Sequence, residues 1–363
     1  MKNLYKTLLR GCLVLVLQVP VVVVFCQTNA DSMLQFITNN KTRASLYVIK
    51  NDTLVAKLNE TILMPLASTV KLLIAVEFAK QVGSYIINED SVIALSELDK
   101  YYLPNTDGGA HAEWLAYEKN IGHLKKDSIR LIDVAKGMMM YSSNANTEYL
   151  LDLTGMDNVK SNVQLFGLDN HTAIFPIVSS LMLYQNPRKL KEKNIINGIK
   201  AMPEEAYCKT IFQIHNALKY DTTLKKKFKL ADLTAKMQQL WSDRLTASTT
   251  KNYVQLCNIL NNRRYLNSNS YGVIAEVIEY IMEDKANQKI YKQFGIKNGS
   301  TAFVLTEAFY ATMLNGEKIE AAYFFNNLTL AENLLLQGWL NEFRIGLTQN
   351  EAFRKKLFTA FNK

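Results

Sequence analysis

The stretch PLASTVKLLIAVEFA, Pro65 to Ala79, is apolar at nearly every position after Lys71, with Glu77 the exception. A segment so apolar on all sides reads as a helix buried inside the fold, not one lying on a surface. Its mouth carries one serine and one lysine, Ser68 and Lys71, three residues apart. On a helix, residues i and i+3 share a face, so the hydroxyl and the amine can meet. Free backbone N–H groups and the positive dipole end disfavour an ammonium there, and burial pushes the amine the same way. A lysine that sheds its proton can take one from Ser68 and make the hydroxyl a nucleophile. The Ser68 N–H then points where an oxyanion would form. A serine N-cap followed by a solvent-seeking lysine gives the same local pattern, so this motif alone does not decide.

Around that helix the chain reads as strands at both ends with helices between. RASLYVIKNDTLVAKLNE (Arg43 to Glu60) suggests two short strands around an Asn51-Asp52 turn. DSIRLIDVAKGMMMYS (Asp127 to Ser142) and NTEYLLDLTG (Asn146 to Gly155) have apolar residues at helical spacing. LPNTDGGAHAE (Leu103 to Glu113) and YQNPRK (Tyr184 to Lys189) read as loops. GIKNGSTAFVLTEAFYATML (Gly295 to Leu314) and KIEAAYFFNN (Lys318 to Asn327) are rich in β-branched and aromatic residues and are separated by a hairpin signal, NGE. Thr329 to about Leu347 turns helical again. The expectation is an α+β fold (an α/β sandwich): an antiparallel sheet built from both chain ends (43–67 and 290–363) with a helical subdomain (68–289) inserted. No internal repeat is present.

Two further motifs belong with Ser68. SSN, Ser142 to Asn144, ends one expected helix and starts the next, and KNGS, Lys297 to Ser300, opens an expected strand. Ser142 follows Ser68 by 74 residues, and Lys297 follows Ser142 by 155. SxxK, SxN and KxG in this order resemble the serine β-lactamase and penicillin-binding protein superfamily, most closely its class A β-lactamase-like branch. The run SIRLIDVAKGMMMYSSNANTEYLLDLTGMDNVKSNVQLFGLD (Ser128 to Asp169) also resembles that family's helix–SxN–helix–Gly–helix–LGL segment. The likeness covers roughly Ala44 to Asp169 and Gly295 to about Leu347, and it implies a β-lactamase/transpeptidase-like fold.

The resemblance implies roles residue by residue. Ser68 would be the acylated nucleophile and Lys71 its general base. Ser142 would relay a proton to the leaving nitrogen. Asn144 would bind the substrate's side-chain amide and Lys71. Lys297 would set the field and orient Ser142, while Asn298, Gly299 and Ser300 would form the edge on which substrate lies, Gly299 allowing close backbone approach. The second oxyanion N–H is expected at about Thr301.

The match also has departures. Class A enzymes place a water-activating glutamate roughly 35 residues after the SxN serine, but Asn170 to Lys191 contains no Asp or Glu. Asp169 and Glu192 flank the gap, and Glu204 and Glu205 come later, where a solvated helix start accounts for them. The SxN-to-KxG gap is about 50 residues longer than the family's usual spacing, so about 185–285 is an extended region. Ser143 stands where an acidic residue is usual, and Asn298 where threonine is.

Composition limits the remaining classes. Lys2, Lys6 and Arg10 precede the apolar Leu13 to Phe25, which reads as an export signal (1–26) cut after Cys26 or Ala30, with a retained anchor as the alternative. Its removal lowers the formal charge from +9 to +6. The dense run LKKKFKL, Leu224 to Leu230, lacks aromatic interleaving and reads as a solvated face, so no nucleic-acid partner is expected. Cys208 and Cys257 remain, free or bonded, with no zinc spacing, and the four histidines form no HxxxH pair. No metal or other cofactor is expected. The expectation is a monomeric enzyme of the periplasm or cell envelope that opens β-lactam amides through an acyl-enzyme on Ser68. The alternatives are a D-Ala-D-Ala peptidase or esterase acting on cell-wall peptide, and a non-catalytic envelope binding protein.

Overall fold

The computed structural model describes residues 28–185 and 190–362; the expected signal lies outside them. Chain order gives β1 (Ala44–Lys50), β2 (Thr53–Leu58), β3 (Met64–Pro65), β4 (Val92–Ala94), β5 (Ser128–Arg130), β6 (Ala247–Ser248), β7 (Tyr291–Ser300), β8 (Leu305–Met313) and β9 (Lys318–Phe325). Five of these form an antiparallel sheet in the order β2-β1-β9-β8-β7. The first hairpin turns at Asn51 and Asp52, both with positive φ (49° and 60°), the backbone that its Asn-Asp sequence tolerates. Strands from both chain ends therefore meet through β1 and β9, in the α+β arrangement expected.

The segment from Pro65 divides into a 3₁₀ turn, Ala67–Val70, and a helix, Lys71–Gly83. Every residue of that helix except Lys80 is buried, because the sheet covers one side and the helices Leu131–Met140, Asn144–Thr154, Thr250–Asn261 and Ser268–Val277 cover the rest. Glu77, the lone acid in the run, is satisfied by Lys80 at 2.7 Å, Gln81 at 2.8 Å and Asn162 at 2.9 Å. A second core lies on the sheet's other face beneath the helices Asn29–Asn39, Leu330–Gln349 and Glu351–Phe361. Thr329 and Glu332 form a capping box where the helix Leu330–Gln349 begins.

Several expected boundaries move. KNGS lies at the end of β7, not at a strand start, because the chain turns at 301–304 before β8. The helix expected from Asp127 begins at Leu131, after β5 pairs with β4. Terminal helices Asn29–Asn39 and Glu351–Phe361 pack on the sheet, and a cut after Ala30 would fall inside the first of them. Cys208 and Cys257 are free thiols.

The extended region is bolted to the helical layer by His215, on the helix Glu204–Tyr220. Its Nδ1 lies 3.1 Å from Glu148 Oε2 and its Nε2 2.9 Å from Asp152 Oδ1. Burial opposes the imidazolium, but hydrogen bonds to Asp152 and Glu148 outweigh it and raise the pKa from 6.5 to about 9. A group whose pKa rises on folding stabilises fully below its unfolded value and loses that contribution as pH climbs through the folded one. Thermal unfolding should therefore show stability falling between pH 6.5 and 9. His215→Gln should lower stability by about 3 kcal/mol at pH 6, since it leaves the buried Glu148 without its cation, and flatten the decline.

Candidate active site

The 3₁₀ turn, the SSN junction and the end of β7 face one another across a cleft of about 490 Å³. Ser68, Ser142, Asn144, Asn298, Gly299, Ser300 and Thr301 all line it. Lys71 and Lys297 lie beneath, essentially without solvent exposure.

Lys71 Nζ holds the floor together. It donates to Ser142 O at 2.7 Å, Ser142 Oγ at 3.1 Å and Asn144 Oδ1 at 2.8 Å. Ser142 adopts a left-handed backbone (φ 67°), which turns both its carbonyl and its hydroxyl toward that amine. Ala67, one residue before the serine, is also left-handed (φ 45°). Such non-glycine conformations cost about 1–3 kcal/mol each and persist only where the surroundings dictate them. No hydrogen bond joins Lys71 Nζ to Ser68 Oγ among the described residues, and catalytic contacts of this kind often tighten only with substrate.

Burial pushes the Lys71 pKa well below its ordinary value, the Lys297 charge adds to this, and Asp107 and Glu148 oppose it. Burial also lowers Lys297, to about 7, against the pull of Glu307. Glu307 is itself held by Arg344 at 2.9 Å. The Lys297 charge thus makes an ammonium at Lys71 costlier still, and the described structure gives Lys297 Nζ no hydrogen bond to Ser142.

The sheet edge is stapled to the turn carrying Ser68 by Thr306. Its hydroxyl donates to Leu66 O at 2.8 Å and lies 2.8 Å from Thr69 Oγ1. A side chain at 299 would crowd this junction: a Cβ there would stand 2.5 Å from Ser68 N and 2.8 Å from Leu66 O. Glycine is required by that approach.

The Thr301 N–H, expected as the second oxyanion donor, is engaged within the turn after β7. Thr301 N–H is committed to Val304 O at 3.0 Å, and Thr301 Oγ1 accepts from Phe303 N and Val304 N, so this residue builds the turn. N–H groups alternate along a strand. Ile296 N–H points off the free edge of β7, to Ile278 O at 3.4 Å, and by the same alternation Ser300 N–H lies on that edge.

Ser143 does what an acidic residue would do at a helix start. Its Oγ accepts from Asn146 N at 3.3 Å and lies 2.8 Å from His111 Nδ1. Three participants were not identified from sequence. Asp107 and His111 fall in a stretch read as loop, and His111 lies in the first turn of the helix Ala110–Asn120. Glu148 is buried and accepts from Val178 N at 2.6 Å and Ser179 N at 3.1 Å, which fixes the short helix Ile177–Met182. From that segment Ile177 and Leu181 reach the cleft. Glu204 accepts from Ala173 N at 3.2 Å on the exterior, Glu205 is exposed, and neither lines the cleft.

Glu118, His123 and Asp133 bring their ligand atoms within 4.8 Å of one another. Those atoms are engaged with each other, with Trp114 and with Arg130. The arrangement is a closed ion-pair network away from the cleft.

This fold and its cleft define a class, the serine β-lactamase and penicillin-binding fold. A class A β-lactamase from Bacteroides cellulosilyticus superposes with a TM-score of 0.51 at 16% identity, covering 92% of this chain and 98% of that one. A β-lactamase from Sphaerobacter thermophilus gives 0.52 at 16%, covering 88% and 97%, and the penicillin-binding protein PBP-A gives 0.53 at 17%, covering 90% and 97%. The sequence profile of the beta-lactamase enzyme family matches residues 29–294, so the chain belongs to that family. A search of curated protein sequences found no match.

Gly299→Ala should slow labelling of the protein by a fluorescent penicillin by about 100-fold, because displacements near 1 Å at a reacting centre cost that much. Labelling at the parent rate would show that β7 does not seat against Ser68.

Proposed function

We propose that the protein is a serine acyl-transfer enzyme of the cell envelope in which a β-lactam or a D-Ala-D-Ala-like amide acylates Ser68. The observation that carries this reading is the buried Lys71 amine, held by Ser142 and Asn144 in the floor of a cleft that Ser68 lines.

A neutral Lys71 takes the Ser68 proton as Oγ attacks the amide carbonyl. Ser68 N–H and Ser300 N–H receive the oxyanion. Ser142, already within reach of Lys71, passes the proton to the leaving nitrogen, which departs protonated. Lys297 adds positive potential close to Ser142 when charged. Asn144 and the Asn298–Ser300 edge hold the acyl chain and the leaving side. Residues 1–26 support export, and the work is done by a monomer.

Release is the slow step in this reading. The wall contributed by 170–185 is Ile177 and Leu181, which supply no base to a hydrolytic water. Among the described residues Asp107 is the one carboxylate lining the cleft, and its oxygens are already engaged by three backbone N–H groups. This favours a penicillin-binding peptidase or esterase over an efficient β-lactamase. A structure of a PBP-A point mutant is described as an acyl-enzyme complex with penicillin G, so a relative of this fold is trapped at the corresponding stage.

Benzylpenicillin followed by intact-protein mass spectrometry should give one persistent adduct, absent from Ser68→Ala. Ile177→Glu, which puts a carboxylate on the apolar wall, should shorten its lifetime by about tenfold or more. Rapid hydrolysis without an adduct would instead establish a β-lactamase, and no reaction at all would defeat the proposal.

A further inference from the structure

The cleft has an unequal charge distribution. Lys71 and Lys297 are sealed below it, and no arginine or lysine is among its lining residues. The charged side chain on its walls is Asp107, half-buried on the lip Thr106–Gly108 beside Asn144.

Asp107 is fixed by backbone donors. Its Oδ1 accepts from Gly109 N at 3.3 Å, and its Oδ2 accepts from His111 N at 3.3 Å and Asn144 N at 3.4 Å. These donors belong to the starts of two helices, Ala110–Asn120 and Asn144–Thr154, whose positive ends favour an anion. Burial keeps His111 below its ordinary pKa, so it supplies no counter-charge at neutral pH. Among the described residues no salt bridge joins Asp107 to a cation, although its charge acts on the buried Lys71, and its side chain lines the cleft.

Asn144 fixes what passes over that carboxylate. Its Oδ1 is occupied by Lys71, which leaves its Nδ2 to donate to the carbonyl of an acyl side chain. The backbone N–H of this same Asn144 donates to Asp107 at 3.4 Å, so the carboxylate flanks the residue that would hold the side-chain carbonyl. A neutral or anionic group there would cover the carboxylate and strip its water without compensation, whereas an ammonium would pair with it.

We infer that the cleft selects acyl donors carrying a primary ammonium next to the side-chain carbonyl, through pairing with Asp107. This inference rests on the acyl-transfer reading above. Amine-bearing peptides and α-amino β-lactams share the required chemistry.

Ampicillin and benzylpenicillin differ by a single α-amino group, and at a pH of about 6.5 that amine is mostly protonated. Their second-order rates of Ser68 acylation, followed by intact mass, give the ratio of interest. At low salt ampicillin should react about fivefold faster, a preference that shrinks in about 0.5 M NaCl as screening grows. In Asp107→Asn the ratio should fall to about one. The salt series on the parent protein keeps the test decisive even if the variant folds poorly. Equal rates in the parent protein, or a preference that survives Asp107→Asn, would overturn the inference while leaving acyl transfer intact. Absence of any adduct with either compound would overturn the acyl-transfer reading itself and this inference with it.

Discussion

An amine taken out of water governs the rest of this structure. Lys71 is fully buried at the start of the apolar helix, where its ammonium would face both a desolvation cost and the field of Lys297. Its position is accepted because Ser142 and Asn144 surround it with oxygen atoms. Left-handed backbone at Ser142 is the local cost of aiming two of those atoms at one nitrogen. The helix Asn144–Thr154 must therefore start where it does, and the network around Ser143 and His111 secures that start.

The second constraint is contact between a sheet edge and the turn carrying Ser68. Strand β7 has one free edge, and Thr306 ties it to Leu66 while Gly299 removes the side chain that would hold it away. This seam brings Gly299, next to Ser300, against Ser68. The sheet that supplies β7 is completed by β1 and β2, so residues near opposite ends of the chain jointly set the geometry around Ser68.

Much of this could be read from the amino acids. The Asn51-Asp52 turn, the apolar central helix and the strand-rich C-terminal region all gave local signals that tertiary structure preserved, and the three motifs fall on one cleft. What the sequence concealed depended on long-range packing. The break between β7 and β8 was hidden because Thr301 to Val304 looks strand-like, yet Thr301 turns the chain with its own hydroxyl and N–H. That same turn engages the Thr301 N–H and leaves Ser300 N–H as the proposed oxyanion donor. Asp107 was obscured by a glycine-rich stretch that reads as loop, and its exposure to the cleft depends on where Asn144 sits, 37 residues away. Glu148 resembled a polar face residue of an amphipathic helix, whereas it anchors the segment carrying Ile177.

The extended region takes on meaning in the same terms. His215 reaches from it to Glu148 and Asp152, and Glu148 in turn fixes the backbone of Val178 and Ser179. The apolar wall opposite Ser68 is thus set by a buried ion network, and the expected acidic water activator has no place on it.

The central claim, that burial and the Lys297 charge make the Lys71 ammonium easier to deprotonate than an ordinary lysine, is open to direct titration. NMR of protein carrying ¹³C,¹⁵N-labelled lysine, with the resonance assigned by Lys71→Arg, should show this side chain losing its proton well below the ordinary lysine value of 10.5. A Lys71 signal that titrates at or above that value would contradict the account.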